Sequence, residues 1–124
     1  MSEEPMMPPD NQDLPTQLLR FLADSQIEVV SWDEKLLTVQ IRKEIGAEYG
    51  LLEFREPSLV CLPPKCEIAG LRIGSLADLP KGLFEVVRPG NSQLDPDEKI
   101  YVVDGSWGEQ FFVIATAITY KIGR

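Results

Sequence analysis

The segment KIYVVDGSWGEQFFVIATAITY, residues 99–120, decides the fold class. Its second arm, Gln110 to Tyr120, is rich in aromatic and β-branched residues, which pack well on a pleated surface. Side chains alternate between the two faces of a strand. Phe112, Ile114, Thr116, Ile118 and Tyr120 therefore share one face, and Phe111, Val113, Ala115, Ala117 and Thr119 the other. Both faces are largely apolar, whereas a strand with one wet face alternates with polar residues. The arm is expected to be central, with material packed on each side. At about 3.3 Å per residue it would run roughly 36 Å, beyond the usual strand, so a bend or bulge near Ala115 to Ala117 is expected.

The first arm runs from Lys99 to Asp104, and Gly105 and Gly108 let the chain turn back to form a hairpin. Trp107 is the one large apolar residue in the connecting loop, Asp104 to Glu109. Its indole either folds back over the sheet edge, the ordinary fate of such a residue, or stands exposed as an anchor for a partner.

Upstream, Asp13 can cap a helix that carries Pro15 in its first turn. Leu14, Leu18, Phe21 and Leu22 fall at i, i+4, i+7 and i+8, one apolar stripe over about three turns that must dock on the sheet. Met1 to Gln12 shows no periodicity and reads as a disordered tail. Ile27 to Trp32 and Lys35 to Arg42 read as a second hairpin about Asp33-Glu34, with Trp32 as a packing residue. Leu51 to Arg55, Leu59 to Leu62, Cys66 to Ile73 and Leu83 to Val87 read as further strands, with Gly70 marking a bulge. Ser75 to Asp78 has the outline of a capping box and predicts a single helical turn. Arg88-Pro89-Gly90 suits a tight turn. Connections this short favour antiparallel pairing. The expected fold is α+β, residues 13–124 forming one domain: an N-terminal helix packed on a curved, mainly antiparallel sheet or partly open barrel of about six or seven strands.

A chain of 124 residues suits one core. No apolar run approaches the ~20 residues needed to span a bilayer, and Glu3 and Glu4 stand where a signal peptide would carry positive charge. A cytoplasmic location without membrane association is expected. The 20 acidic against 12 basic residues, a net charge of -8, argue against binding the phosphate backbone of nucleic acid. A basic protein partner suits the charge better, although negative charge also serves simply to keep proteins apart.

The chain has no histidine, which removes the Ser-His-Asp and Cys-His arrangements. It also has no glycine-rich phosphate loop or nucleophile elbow. Cys61 and Cys66 are too few for structural zinc. With Pro63 and Pro64 in a turn their thiols could face each other across two strands, but two free, partly buried thiols are the expected state. Asp95, Asp97 and Glu98 lack the spacing of a calcium loop, and Asp104 with Glu109 is a weak acid pair for glycoside chemistry. No catalytic residue, metal site or cofactor is assigned. The expectation is a non-enzymatic interaction domain that binds through Asp104, Ser106, Trp107 and Glu109, in one version an acidic, immunity-type antagonist of a basic protein. The alternative is a small-ligand binder with an apolar pocket lined by Phe84, Tyr101, Phe112 and Ile114. An enzyme using Asp104, Glu109 or the thiols ranks third.

Overall fold

The computed structural model describes residues 14–43, 48–87, 90 and 93–123. In chain order the elements are α1 (Thr16–Leu22), β1 (Ser25–Trp32), β2 (Leu36–Lys43), β3 (Tyr49–Arg55), β4 (Leu59–Cys61), β5 (Lys65–Gly74), a 3₁₀ turn at Leu76–Asp78, α2 (Leu83–Val87), β6 (Lys99–Gly105), β7 (Gln110–Ala115) and β8 (Ala117–Gly123). The strands form one all-antiparallel sheet in the order β4-β7-β6-β5-β1-β2-β3-β8. No ladder joins β4 to β8, so the sheet is not closed into a barrel. It is strongly curled all the same, because β7 and β8 stand far apart in the order yet are separated in the chain by Thr116 alone.

That bend is where the sequence placed it. The Thr116 N–H donates to the Arg55 carbonyl at 2.9 Å, and its hydroxyl lies 3.2 Å from both that carbonyl and the Glu56 carboxylate. The strand count is eight rather than about six or seven, since the long arm divides here and the short β4 makes a full ladder with β7.

The hairpin of β6 and β7 is covered on both faces. Tyr101, Val103 and Val113 face the interior of the curl, where they meet Leu18, Leu22, Ile27, Val39, Leu52 and Phe54. Ile100, Val102, Phe112 and Ile114 face the other way and pack under Leu79, Leu83 and Phe84. This second layer explains a correction: Leu83–Val87 is a short helix, not a strand. A helical turn brings the adjacent Leu83 and Phe84 onto the outer face of β6 and β7 beside Leu79 and leaves Val86 exposed on the far side. Strand alternation would have set Leu83 and Phe84 on opposite faces.

α1 lies against β5 and β2 and buries the expected stripe of Leu14, Leu18, Phe21 and Leu22. It makes two turns rather than three. Its C-terminal carbonyls are met by Lys43, whose Nζ donates to Phe21 O at 3.0 Å and Ala23 O at 2.6 Å, and Asp24 turns the chain at a φ of 55°. The proposed Asp13 cap, the tail of residues 1–12 and the Arg88-Pro89 part of the predicted turn lie outside the described residues.

The β1–β2 hairpin turns on Asp33, whose Oδ1 accepts the N–H groups of Lys35 at 2.8 Å and Leu36 at 2.9 Å. These two backbone bonds hold its carboxyl below the usual range. β1 is bulged between Val29 and Ser31. Trp32 is not a packing residue: it is 59% exposed at the end of an inward row that continues through Leu37 and Phe54. The expected irregularity at Gly70 is present as a register shift between Ile68 and Gly70. The Ser75 N–H donates to Asp78 Oδ2 at 2.8 Å, closing the expected single turn.

Gly50 is the glycine that packing demands. A Cβ there would lie 2.8 Å from the Phe21 ring and 2.9 Å from the Lys121 carbonyl oxygen, and the carbonyl belongs to the backbone of β8 and has little room to yield. Gly50→Ala is expected to destabilise the protein by about 1–3 kcal/mol, read as a lower midpoint in thermal unfolding. An unchanged midpoint would show that α1 does not sit this close to β3.

Candidate functional site

The loop between β6 and β7 is held by its own backbone. The Gly105 N–H donates to Glu109 O at 2.8 Å and the Gly108 N–H to Gly105 O at 3.4 Å. Gly108 sits at a φ of 91°, in the left-handed region that suits glycine. The Glu109 side chain turns back into the loop, where its Oε1 accepts the Trp107 N–H at 3.0 Å. The Ser106 N–H donates sideways to Glu67 O of β5 at 3.2 Å. The loop is thereby fixed both to itself and to the neighbouring strand.

Trp107 stands 79% exposed on this frame. Of the two readings of its indole, the folded-back one is overturned. Asp104 is engaged at the base of the loop: its Oδ1 accepts from Gln110 Nε2 at 3.2 Å, and its Oδ2 lies 3.6 Å from Arg72 Nε. Arg72 also reaches Asp78 at 3.4 Å. The Ser75 N–H and then Arg72 hold the Asp78 carboxyl below its usual range. The four residues singled out in the sequence thus share a loop without converging on one point. Trp107 faces solvent, Glu109 and Asp104 secure the loop, and Ser106 ties it to β5.

Ser106 also borders a cleft of about 450 Å³ that sequence spacing did not reveal. Asp24, Gln26, Lys43 and Glu67 line it together with Ser106, brought there from the end of α1, β1, β2 and β5. The ammonium of Lys43 is already bound to two carbonyls and lies 5.8 Å from the Phe21 ring centroid. Those carbonyls are neutral, so the cleft carries the Lys43 ammonium beside the carboxylates of Asp24 and Glu67.

The other candidates do not form sites. Cys61 is on β4 and Cys66 on β5; β4 pairs with β7 and β5 with β1 and β6, so the thiols do not face each other, and both are free. Burial, then the nearby Glu109 carboxylate, pushes the Cys66 thiol up, away from the thiolate a nucleophile needs. Glu98 accepts from the Ser58 hydroxyl at 2.9 Å and from the Asp95 N–H at 3.1 Å, which makes the acidic stretch a loop fastening. No group of three or more potential metal ligands occurs among the described residues.

The apolar pocket expected from Phe84, Tyr101, Phe112 and Ile114 is not built. Tyr101 belongs to the inner cluster and the other three to the outer one, with the sheet between them. The void among Leu22, Val39, Phe54 and Leu71 on the inner side holds about 10 Å³, less than a ligand needs. No family model matches this chain, and no match is found among curated proteins or solved structures.

Proposed function

We propose that this protein is a non-enzymatic interaction domain of the cytoplasm that recognises another protein through the loop from Asp104 to Glu109, with Trp107 as its anchor. One observation carries the reading: an indole 79% exposed on a loop whose backbone is hydrogen-bonded at Gly105, Ser106, Trp107 and Gly108. A large aromatic on a fixed frame loses little freedom on binding and buries a large apolar area. The net charge of -8 favours a basic protein partner, as an immunity-type antagonist would meet, and disfavours nucleic acid, while Asp104 and Glu109 hold the loop in shape. No helix among the described residues is long and apolar enough to cross a membrane.

The test is an affinity capture at low and high salt, with Trp107→Ala in parallel and its fold checked by circular dichroism. A basic protein should be retained at low salt and weakened by high salt. Titration of that protein against folded Trp107→Ala should show an affinity reduced roughly 30-fold, about 2 kcal/mol. Equal affinity for the two forms would remove the loop from the interface.

A further inference from the structure

We propose that β8 pairs, antiparallel, with β8 of a second copy of this chain about a twofold axis at Tyr120. The two ends of the sheet differ in a way that bears on this. β4 is three residues long, with Pro57 before it and Pro63 and Pro64 after it, the means by which sheets blunt their edges. β8 has seven residues, no proline and no carboxylate in a chain rich in both, and it has no ladder partner among the described residues on the side away from β3. N–H groups alternate in direction along a strand. The Lys43 N–H donates to Glu48 O and the Glu56 N–H to Lys35 O, so the even-numbered residues of β3 bond to β2. The odd-numbered ones bond to their partners Ala117, Thr119 and Lys121, and the N–H groups of Ile118, Tyr120 and Ile122 point to the open side.

A twofold axis at Tyr120 sets Ile118 opposite Ile122, Thr119 opposite Lys121, and Tyr120 opposite itself. The half-buried Ile118, Tyr120 and Ile122 would then cover one another across the axis, extending the inner apolar face from one copy to the next. On the outer face Thr119 stands beside Glu53 of β3, whose Oε1 accepts the Thr119 hydroxyl at 3.3 Å. Lys121 of the second copy arrives directly beside Thr119, within side-chain reach of that carboxylate. The symmetry produces this opposite-charge pair twice. The register is self-complementary in shape, hydrogen bonding and charge, as an isologous interface requires.

Sedimentation over a range of concentrations tests this, with two variants. Wild type should shift to a dimer as concentration rises. Lys121→Glu, an exposed change that sets Glu against Glu53 twice, should weaken the dimer roughly tenfold while the monomer stays folded. Tyr120→Cys, with Cys61 and Cys66 replaced by serine, should cross-link the copies on mild oxidation, because directly opposed, hydrogen-bonded residues have Cα atoms about 5.5 Å apart, within the range of a disulfide. A chain that stays monomeric throughout overturns the proposal. So does a dimer that tolerates Lys121→Glu unchanged and does not cross-link at residue 120.

Discussion

Phe54→Ala lowers the stability of the protein by about 3–5 kcal/mol, the cost of emptying a large, fully enclosed aromatic site. Phe54 is 1% exposed and meets the ring of Tyr101 edge to face, with centroids 5.4 Å apart and planes at 67°. The two residues are on β3 and β6, which the sheet order separates by β2, β1 and β5. Their contact therefore crosses the interior of the curl instead of running along a ladder. Losing the ring removes a contact that holds the two walls together, as well as the apolar area. A domain of this size has about 5–15 kcal/mol in all, so the variant should unfold at a much lower urea concentration with a similar slope. Trp32 provides the contrast. It occupies the same inward row but is 59% exposed, and Trp32→Ala should cost less than about 1 kcal/mol. Equal costs for the two would contradict the curled arrangement.

That contrast also marks how far the sequence could be read. The apolar alternation on both faces of Gln110 to Tyr120 announced a central strand covered twice, and this holds for β7, between the inner core and the 3₁₀ turn with α2. It does not hold beyond Thr116, where Ala117 to Tyr120 enter the end strand β8 and Ile118 and Tyr120 turn to the inner face, opposite to Phe112 and Ile114. The stripe on α1 and the bulge near Gly70 were legible because residues close together in the chain announce them. The bend near Thr116 was legible because the apolar arm is too long for one strand, although Arg55 and Glu56, distant in the chain, hold it. Leu83–Val87 was not, because short apolar runs fit strand and helix alike, and the outer face of β6 and β7 made the choice. Trp32 misled because alternation assigns a face but not the distance to the end of the sheet. At the site, the loop could be reached from composition and glycine placement, but not the exposure of its indole, for which the sequence made folding back over the sheet edge the ordinary fate. The cleft between Asp24 and Glu67 depends on contacts between segments distant in the chain, which no local pattern encodes.

Raising the pH from 10 to 12 should remove about 2–3 kcal/mol of stability through Tyr101 alone. Its side chain is 2% exposed, and burial pushes its pKa up to about 12 from an ordinary value of 10.0. The neutral phenol persists in the fold at a pH where the unfolded chain has begun to ionise. Between the two values the unfolded state holds fewer protons than the folded one, so stability falls as pH rises. The contribution is intact below pH 10 and lost by the time the pH has passed 12; two pKa units correspond to about 2.7 kcal/mol. Burial causes the shift, and among the described residues no hydrogen bond to the phenolic oxygen opposes it. Tyr101→Phe should therefore keep the ring contact with Phe54, raise stability at neutral pH by up to about 1 kcal/mol, and flatten the alkaline decline. Urea titrations of the two proteins at intervals across this range measure the difference directly. Parallel curves for wild type and Tyr101→Phe would mean that the phenol is not enclosed between the walls of the sheet, and the edge-to-face pair with Phe54 would lose its place at the centre of the fold.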